Sequence, residues 1–180
     1  MEGVRMILDG IGENPDSKRL KKTPQRTAAM FQEVLSGTHQ EPADLLKLLT
    51  EEQHKEMVIL KDIPLYSMCE HHLLPFFGYA SIAYIPKKGK IMGLNTLSSL
   101  EDLISRKLQI QERLTKQIAD KLVQILDPLG VMIVIQAEHL CMTMRGVKKA
   151  GAKTITSAVR GVFQRSAATR EEAISLIMKN

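Results

Sequence analysis

The sequence has no tryptophan, three tyrosines and four phenylalanines, so the stacking platforms of single-strand nucleic-acid binders are hard to build from it. Its two cysteines, Cys69 and Cys141, are too few for a disulfide-stapled scaffold. The opening stretch MEGVRMILDGIGENPDSKR lacks a signal peptide's long apolar core and small-residue cleavage site, which predicts a cytoplasmic protein with free thiols or metal thiolates. No apolar run approaches the roughly 20 residues that span a bilayer, so no membrane partner is expected. The formal net charge of +5 suits an anionic ligand. Charge is all that favours nucleic acid, and none is expected; a phosphorylated metabolite remains.

What is present divides by periodicity. Residues 1–50 read as a helical segment, with TPQRTAAMFQEVLSG its best helix: Thr23 as N-cap, Pro24 at the first helical position and Gly37 as the stop. From residue 56, EMVILKDIPLYSM and FGYASIAYIP are rich in β-branched and aromatic residues and predict two strands joined through CEHHLLP. A helical stretch follows over 98–128, in which Ile110, Leu114, Ile118, Leu122 and Ile125 recur at three- and four-residue spacing. VMIVIQAEHLCMTM and KTITSAVRGVF predict a second hairpin, and a helix from Thr169 to Met178 closes the chain. Runs of strands alternating with helices in this order predict an α+β fold with an antiparallel sheet, residues 51–180 forming one compact unit.

The chemistry concentrates in SMCEHHLLPFF. Cys69 and His72 have the short chelate spacing with which one loop supplies two ligands to tetrahedral zinc. A third ligand must come from elsewhere, and Cys141 is the one other cysteine, two residues after His139. Two thiolates and an imidazole leave a fourth position for water, as a catalytic zinc requires. For a lone Cys-x-x-His, buried thiols and loop histidines are the simpler reading. Here both cysteines and three of five histidines fall in two short segments at matching hairpin ends, and this clustering favours metal. His39 and His54 read as surface residues, and Glu70 has no role that the sequence supplies.

Residues 56–94 and 108–163 resemble the GTP cyclohydrolase I family, carrying its signatures as SMCEHHLLPF, LQIQERLT, CMTMRGV and SAVRG, with TPQR in the N-terminal helix. The resemblance implies a tunnelling-fold (T-fold) subunit, preceded by N-terminal helices, with a four-stranded antiparallel sheet and two helices between its hairpins. Such subunits form a homo-oligomer, a decamer of two pentameric rings with active sites between subunits. It implies Zn²⁺ on Cys69, His72 and Cys141, proton transfer by His71 and His139, and guanine recognition by Glu112. Gln111, Arg26, Arg145 and Asn95 fall on the substrate side of the site. The implied reaction is hydrolysis of the guanine ring of GTP at C8, loss of formate and closure to 7,8-dihydroneopterin triphosphate.

One segment departs. The family reads Gly-Leu-Ser-Lys-x-x-Arg where this chain has Gly93-Leu94-Asn95-Thr96-Leu97-Ser98-Ser99. Two absent cationic partners, at about 1.5 to 3 kcal/mol each, imply a weakening of triphosphate binding by roughly 3 to 6 kcal/mol without compensation. Ser98-Ser99-Leu100-Glu101 also reads as a capping box, which would make this helix start acidic and a poor phosphate cradle. Three readings stay open: a GTP cyclohydrolase I with a relaxed phosphate site, a paralogue acting on a purine nucleotide or nucleoside with fewer phosphates, and a catalytically silent purine-binding ring protein.

Overall fold

The computed structural model describes residues 1–40, 48–49 and 54–179. The boundary expected between residues 50 and 51 lies outside them. Helices α1 (Glu2–Gly10) and α2 (Thr23–Val34) lead into a short 3-10 turn at Ser36–His39. Pro24 sits in the first turn of α2, where a missing N–H costs no bond, although Lys22 rather than Thr23 takes the cap position. A small two-stranded sheet pairs β1 (Leu48–Leu49) with β4 (Ile91–Met92).

The main sheet contains β2 (Val58–Cys69), β3 (Pro75–Ile85), β5 (Leu108–Gln109), β6 (Gly130–His139) and β7 (Lys153–Gly161) in the order β5-β2-β3-β6-β7. The four long strands are antiparallel neighbours, whereas β5 runs parallel to β2. The architecture is α+β as expected, but the sheet is mixed and five-stranded. The stretch over 98–128 therefore is not one helix: it divides into α3 (Leu94–Ser105), β5 and α4 (Gln111–Leu126). The end of β2 dictates the break, because its open backbone groups pair Met68 and Cys69 with Leu108 and Gln109, while Ser67 Oγ donates to Ser105 O at 2.7 Å.

One face of the sheet packs on α3 and α4, through Leu97 and Leu100 of α3 and Leu114, Ile118 and Leu122 of α4, all fully buried. The four-residue spacing in α4 places those three on one stripe. The other face is covered at one end, where Phe163 of α6 (Val162–Arg165) and Ala173 of α7 (Ala167–Met178) meet Ala83 and Met132. α7 begins before Thr169, because Ser166 Oγ accepts from the Thr169 N–H and caps it. Elsewhere this face exposes Tyr66, Tyr79 and Ile155.

The expected capping box is corrected. α3 starts at Leu94 with Gly93 as its cap, which leaves Ser98 and Glu101 in mid-helix and no acid in the first turn. Glu101 is 1% exposed beside Leu100, and its Oε1 has no hydrogen-bond partner. Burial pushes its carboxyl up to about 8, with Asp102 adding to the rise and Ser105 and Arg106 opposing it. The folded state thus binds this proton more tightly than the unfolded chain, with its ordinary value of 4.5. The stability it confers is complete below that value and lost as pH climbs to about 8, a change on the order of 3 to 5 kcal/mol. Denaturation at pH 5 and pH 8 should show Glu101→Gln losing less stability than the parent over that interval. Identical pH dependence in the two proteins would show that Glu101 ionises freely.

Candidate metal centre

Cys69 is the last residue of β2, and the turn that follows is tight: the Leu73 N–H donates to Cys69 O, the Cys69 N–H to Leu74 O, and Leu73 takes a left-handed φ of 52°. The turn pushes His71, His72 and Leu73 into solvent while Cys69 stays buried. Phe76 pairs with His139 across β3 and β6, so the register sets the two hairpin ends side by side. β6 gives way at His139 to the single turn α5 (Leu140–Thr143), which brings Cys141 to the end of β2.

The ligand atoms of Cys69, His72 and Cys141 all lie within 4.8 Å of one another, and Cys69 Sγ is 4.0 Å from His72 Nδ1. Donors around a tetrahedral zinc stand roughly 3.5 to 3.8 Å apart, so small side-chain rotations close the site. Two sulfurs and one imidazole form a donor set that suits zinc and leaves a position open. Burial raises the Cys141 thiol, and proximity to Cys69 raises it further; a divalent cation relieves both. His71 Nδ1 also approaches Cys69 Sγ, at 3.9 Å, but His71 stands outside the three-residue group, with its side chain 64% exposed.

Glu70 has a structural partner that the sequence does not reveal. Arg113 of α4 donates to both of its carboxylate oxygens, at 2.6 and 2.9 Å, and the Glu70 N–H donates to Gln109 O. The hydrogen bonds from Arg113 hold the Glu70 carboxyl below its ordinary value. The turn that carries His72 is therefore clamped to β5 and to the start of α4. Glu70→Gln removes the fork-to-fork charge pair while keeping the side chain's shape. We expect kcat/KM to fall about tenfold with little change in melting temperature, since supporting partners of metal sites carry effects of 10- to 100-fold. Unchanged steady-state kinetics would show that the clamp does not position the turn.

His139 stacks on Phe76, with ring centroids 4.6 Å apart at 10°, and its Nε2 is 2.8 Å from Gln111 Oε1. Burial lowers its pKa, favouring the neutral ring, and the charge of Glu112, within electrostatic reach, opposes that shift. Glu112 is exposed in the first turn of α4. Gln111 is buried, its amide donating to Ile135 O, Thr154 O and Thr156 Oγ1. Arg145 is exposed, and its charge reaches Cys141. Arg26 and Asn95 are exposed on α2 and α3, and among the described residues neither bonds to the cluster. His39 and His54 lie exposed, as expected.

The sequence matches the GTP cyclohydrolase I family over residues 1–178. It is 59% identical to GTP cyclohydrolase 1 of Carboxydothermus hydrogenoformans over 174 residues, 97% of this chain and 91% of that one. It is 56% identical to GTP cyclohydrolase 1 of Pelotomaculum thermopropionicum, over 98% of this chain and 94% of the other. Among solved structures, the apo crystal structure of the archaeosine synthase QueF-Like superposes with a TM-score of 0.47 at 19% identity, over 58% of this chain and 93% of that one.

Proposed function

The chain belongs to the GTP cyclohydrolase I family, and from that premise we propose that it is a zinc-dependent GTP cyclohydrolase I. It hydrolyses the guanine ring of GTP at C8, releases formate and forms 7,8-dihydroneopterin triphosphate for pterin and folate biosynthesis. The observation that carries this reading is the convergence of Cys69, His72 and Cys141, from two separate hairpins, into one group of potential ligands. Zinc held there supplies the Lewis acidity that makes water a nucleophile at neutral pH.

The surrounding residues divide the remaining tasks. His71, exposed beside Glu70, moves protons at the purine, and His139, neutral and half-buried, serves ring opening. Glu112 accepts from the guanine ring N–H and exocyclic amine. Arg26 and Arg145 meet the phosphates, with Asn95 near the ribose. Residues 51–180 act as a T-fold unit, with the helical segment 1–50 outside it. Nine residues of β7 form an outer edge of the sheet, and closure of subunits into pentameric rings, two per decamer, would pair such edges. A site shared between subunits fits the exposure of Arg26 and Asn95 away from the cluster. The reducing cytoplasm keeps both thiols available.

Zinc-loaded protein incubated with GTP should release formate and yield a pterin that fluoresces after oxidation. Zinc-loaded protein inert to GTP would refute the activity and leave the silent purine-binding ring. A second reading, a substrate with fewer phosphates, is favoured by one observation: the first turn of α3 carries Leu94, Asn95, Thr96 and Leu97 and no cation.

A further inference from the structure

Gln111 opens α4, yet its side chain is 1% exposed and engages β6 and β7 beneath the helix. Its amide nitrogen is 3.1 Å from Ile135 O, 3.0 Å from Thr154 O and 3.0 Å from Thr156 Oγ1. The first two acceptors are backbone carbonyls, which cannot donate. Turning the amide over would set its oxygen against both. The nitrogen therefore belongs on the sheet side and Oε1 on the other, 2.8 Å from His139 Nε2.

The two threonines complete the assignment. Thr115 Oγ1 donates to Gln111 O at 2.7 Å, which uses its one proton. The 2.6 Å contact between Thr115 and Thr156 is then a bond donated by Thr156. Having given up its proton there, Thr156 Oγ1 faces Gln111 as an acceptor. Each donor and acceptor has one consistent direction from Thr156 through Thr115 to the backbone of α4.

We infer that Gln111 is a positioning residue that fixes the tautomer of His139, holding the proton on Nε2 and leaving Nδ1 as the unprotonated ring nitrogen. An amide oxygen accepts only, so the neutral imidazole must donate to it from Nε2. Phe76 sets the plane of the ring, and Gln111 sets which edge faces the helix. Both amide protons of Gln111 are spent on the sheet, so its nitrogen has none to offer a purine. That inference rests on the reading of His139 as a proton-transfer group and moves Gln111 from the substrate side of the site to the support of His139.

The test uses full-length, zinc-loaded protein labelled with ¹⁵N-histidine, with His139→Asn identifying the resonance and magic-angle-spinning spectra accommodating a large ring. Neutral His139 should show its proton on Nε2 and an unprotonated Nδ1. Gln111→Met keeps the size of the side chain but neither donates nor accepts. It should mix the tautomers, leave zinc content unchanged and lower kcat for GTP about a hundredfold, with KM unchanged within about twofold. Thr156→Val leaves Ile135 O and Thr154 O to take both amide protons, so it should keep the parent's tautomer and kcat, and the parent spectrum alone decides the tautomer should the methionine variant not fold.

A proton on Nδ1 in the parent protein would overturn the inference. So would a Gln111→Met protein with raised KM and unchanged kcat, which would make Gln111 a substrate contact. If the parent is inert to GTP, the proposed reaction fails, while the tautomer still decides the role of Gln111.

Discussion

Replacing Cys141 with alanine is expected to remove the metal and, with it, formate release from GTP, lowering turnover by about 10⁴-fold or more. Cys69 and His72, from the end of β2 and the turn after it, offer two potential donors, and Cys141, from the other hairpin, offers the third. Two donors with two or more exchangeable positions hold zinc far less tightly than three, and loss of the ion forfeits several kcal/mol of transition-state stabilisation. The fold should survive, because Cys141 is only partly buried on a four-residue helix at the edge of the main core. Elemental analysis for zinc, a formate assay and a melting curve separate these effects. His72→Ala should behave like Cys141→Ala, whereas His71→Ala should retain zinc and still lose turnover. Full activity in Cys141→Ala would refute the ligand assignment, and loss of zinc from His71→Ala would exchange the roles of the two neighbouring histidines.

The hairpin around CEHH was legible in the sequence because its signals are local: β-branched runs, flanking prolines and a short chelate spacing. Cys141 was legible because it is the one other cysteine. The supports of the site were not. Glu70 and Arg113 lie 43 positions apart, and nothing around either residue marks the other; beside Glu112, Arg113 reads as half of a solvated helix pair. The resemblance set Gln111 on the substrate side, yet its bonds to β6 and β7 exist only once α4 has docked on the sheet. The break between α3 and α4 had the same origin, since the edge of β2 requires a partner that helical periodicity does not encode.

Glu101 shows local pattern losing to packing. Ser-x-x-Glu is a capping signature, but Leu97, Leu100 and Ile104 bury the inner face of α3, and their burial extends the helix back to Gly93. The carboxylate meant to cap is carried into the interior and held mostly neutral at pH 7. Asp102 pairs with Arg106 at 2.8 Å. The start of α3 is therefore short of cations without being acidic, which removes repulsion from the case against a triphosphate and leaves only the missing attraction.

The proposed activity predicts, despite that shortage, how substrates should be ranked. GTP should be turned over in preference to GDP, GMP and guanosine, with Arg145 supplying much of the difference. Arg145 is exposed, makes no ion pair among the described residues, and lies close enough for its charge to act on Cys141. A charged hydrogen bond to phosphate contributes about 1.5 to 3 kcal/mol, so Arg145→Met should lower kcat/KM for GTP by roughly 10- to 150-fold. Guanosine, which has no phosphate to lose, should change less than about twofold. Equal losses on both substrates would instead place Arg145 in support of the metal centre. A parent protein that prefers GMP or guanosine to GTP would mean that the cations absent from Asn95–Ser99 have no replacement, and that this chain has kept the purine chemistry of its family while giving up the triphosphate.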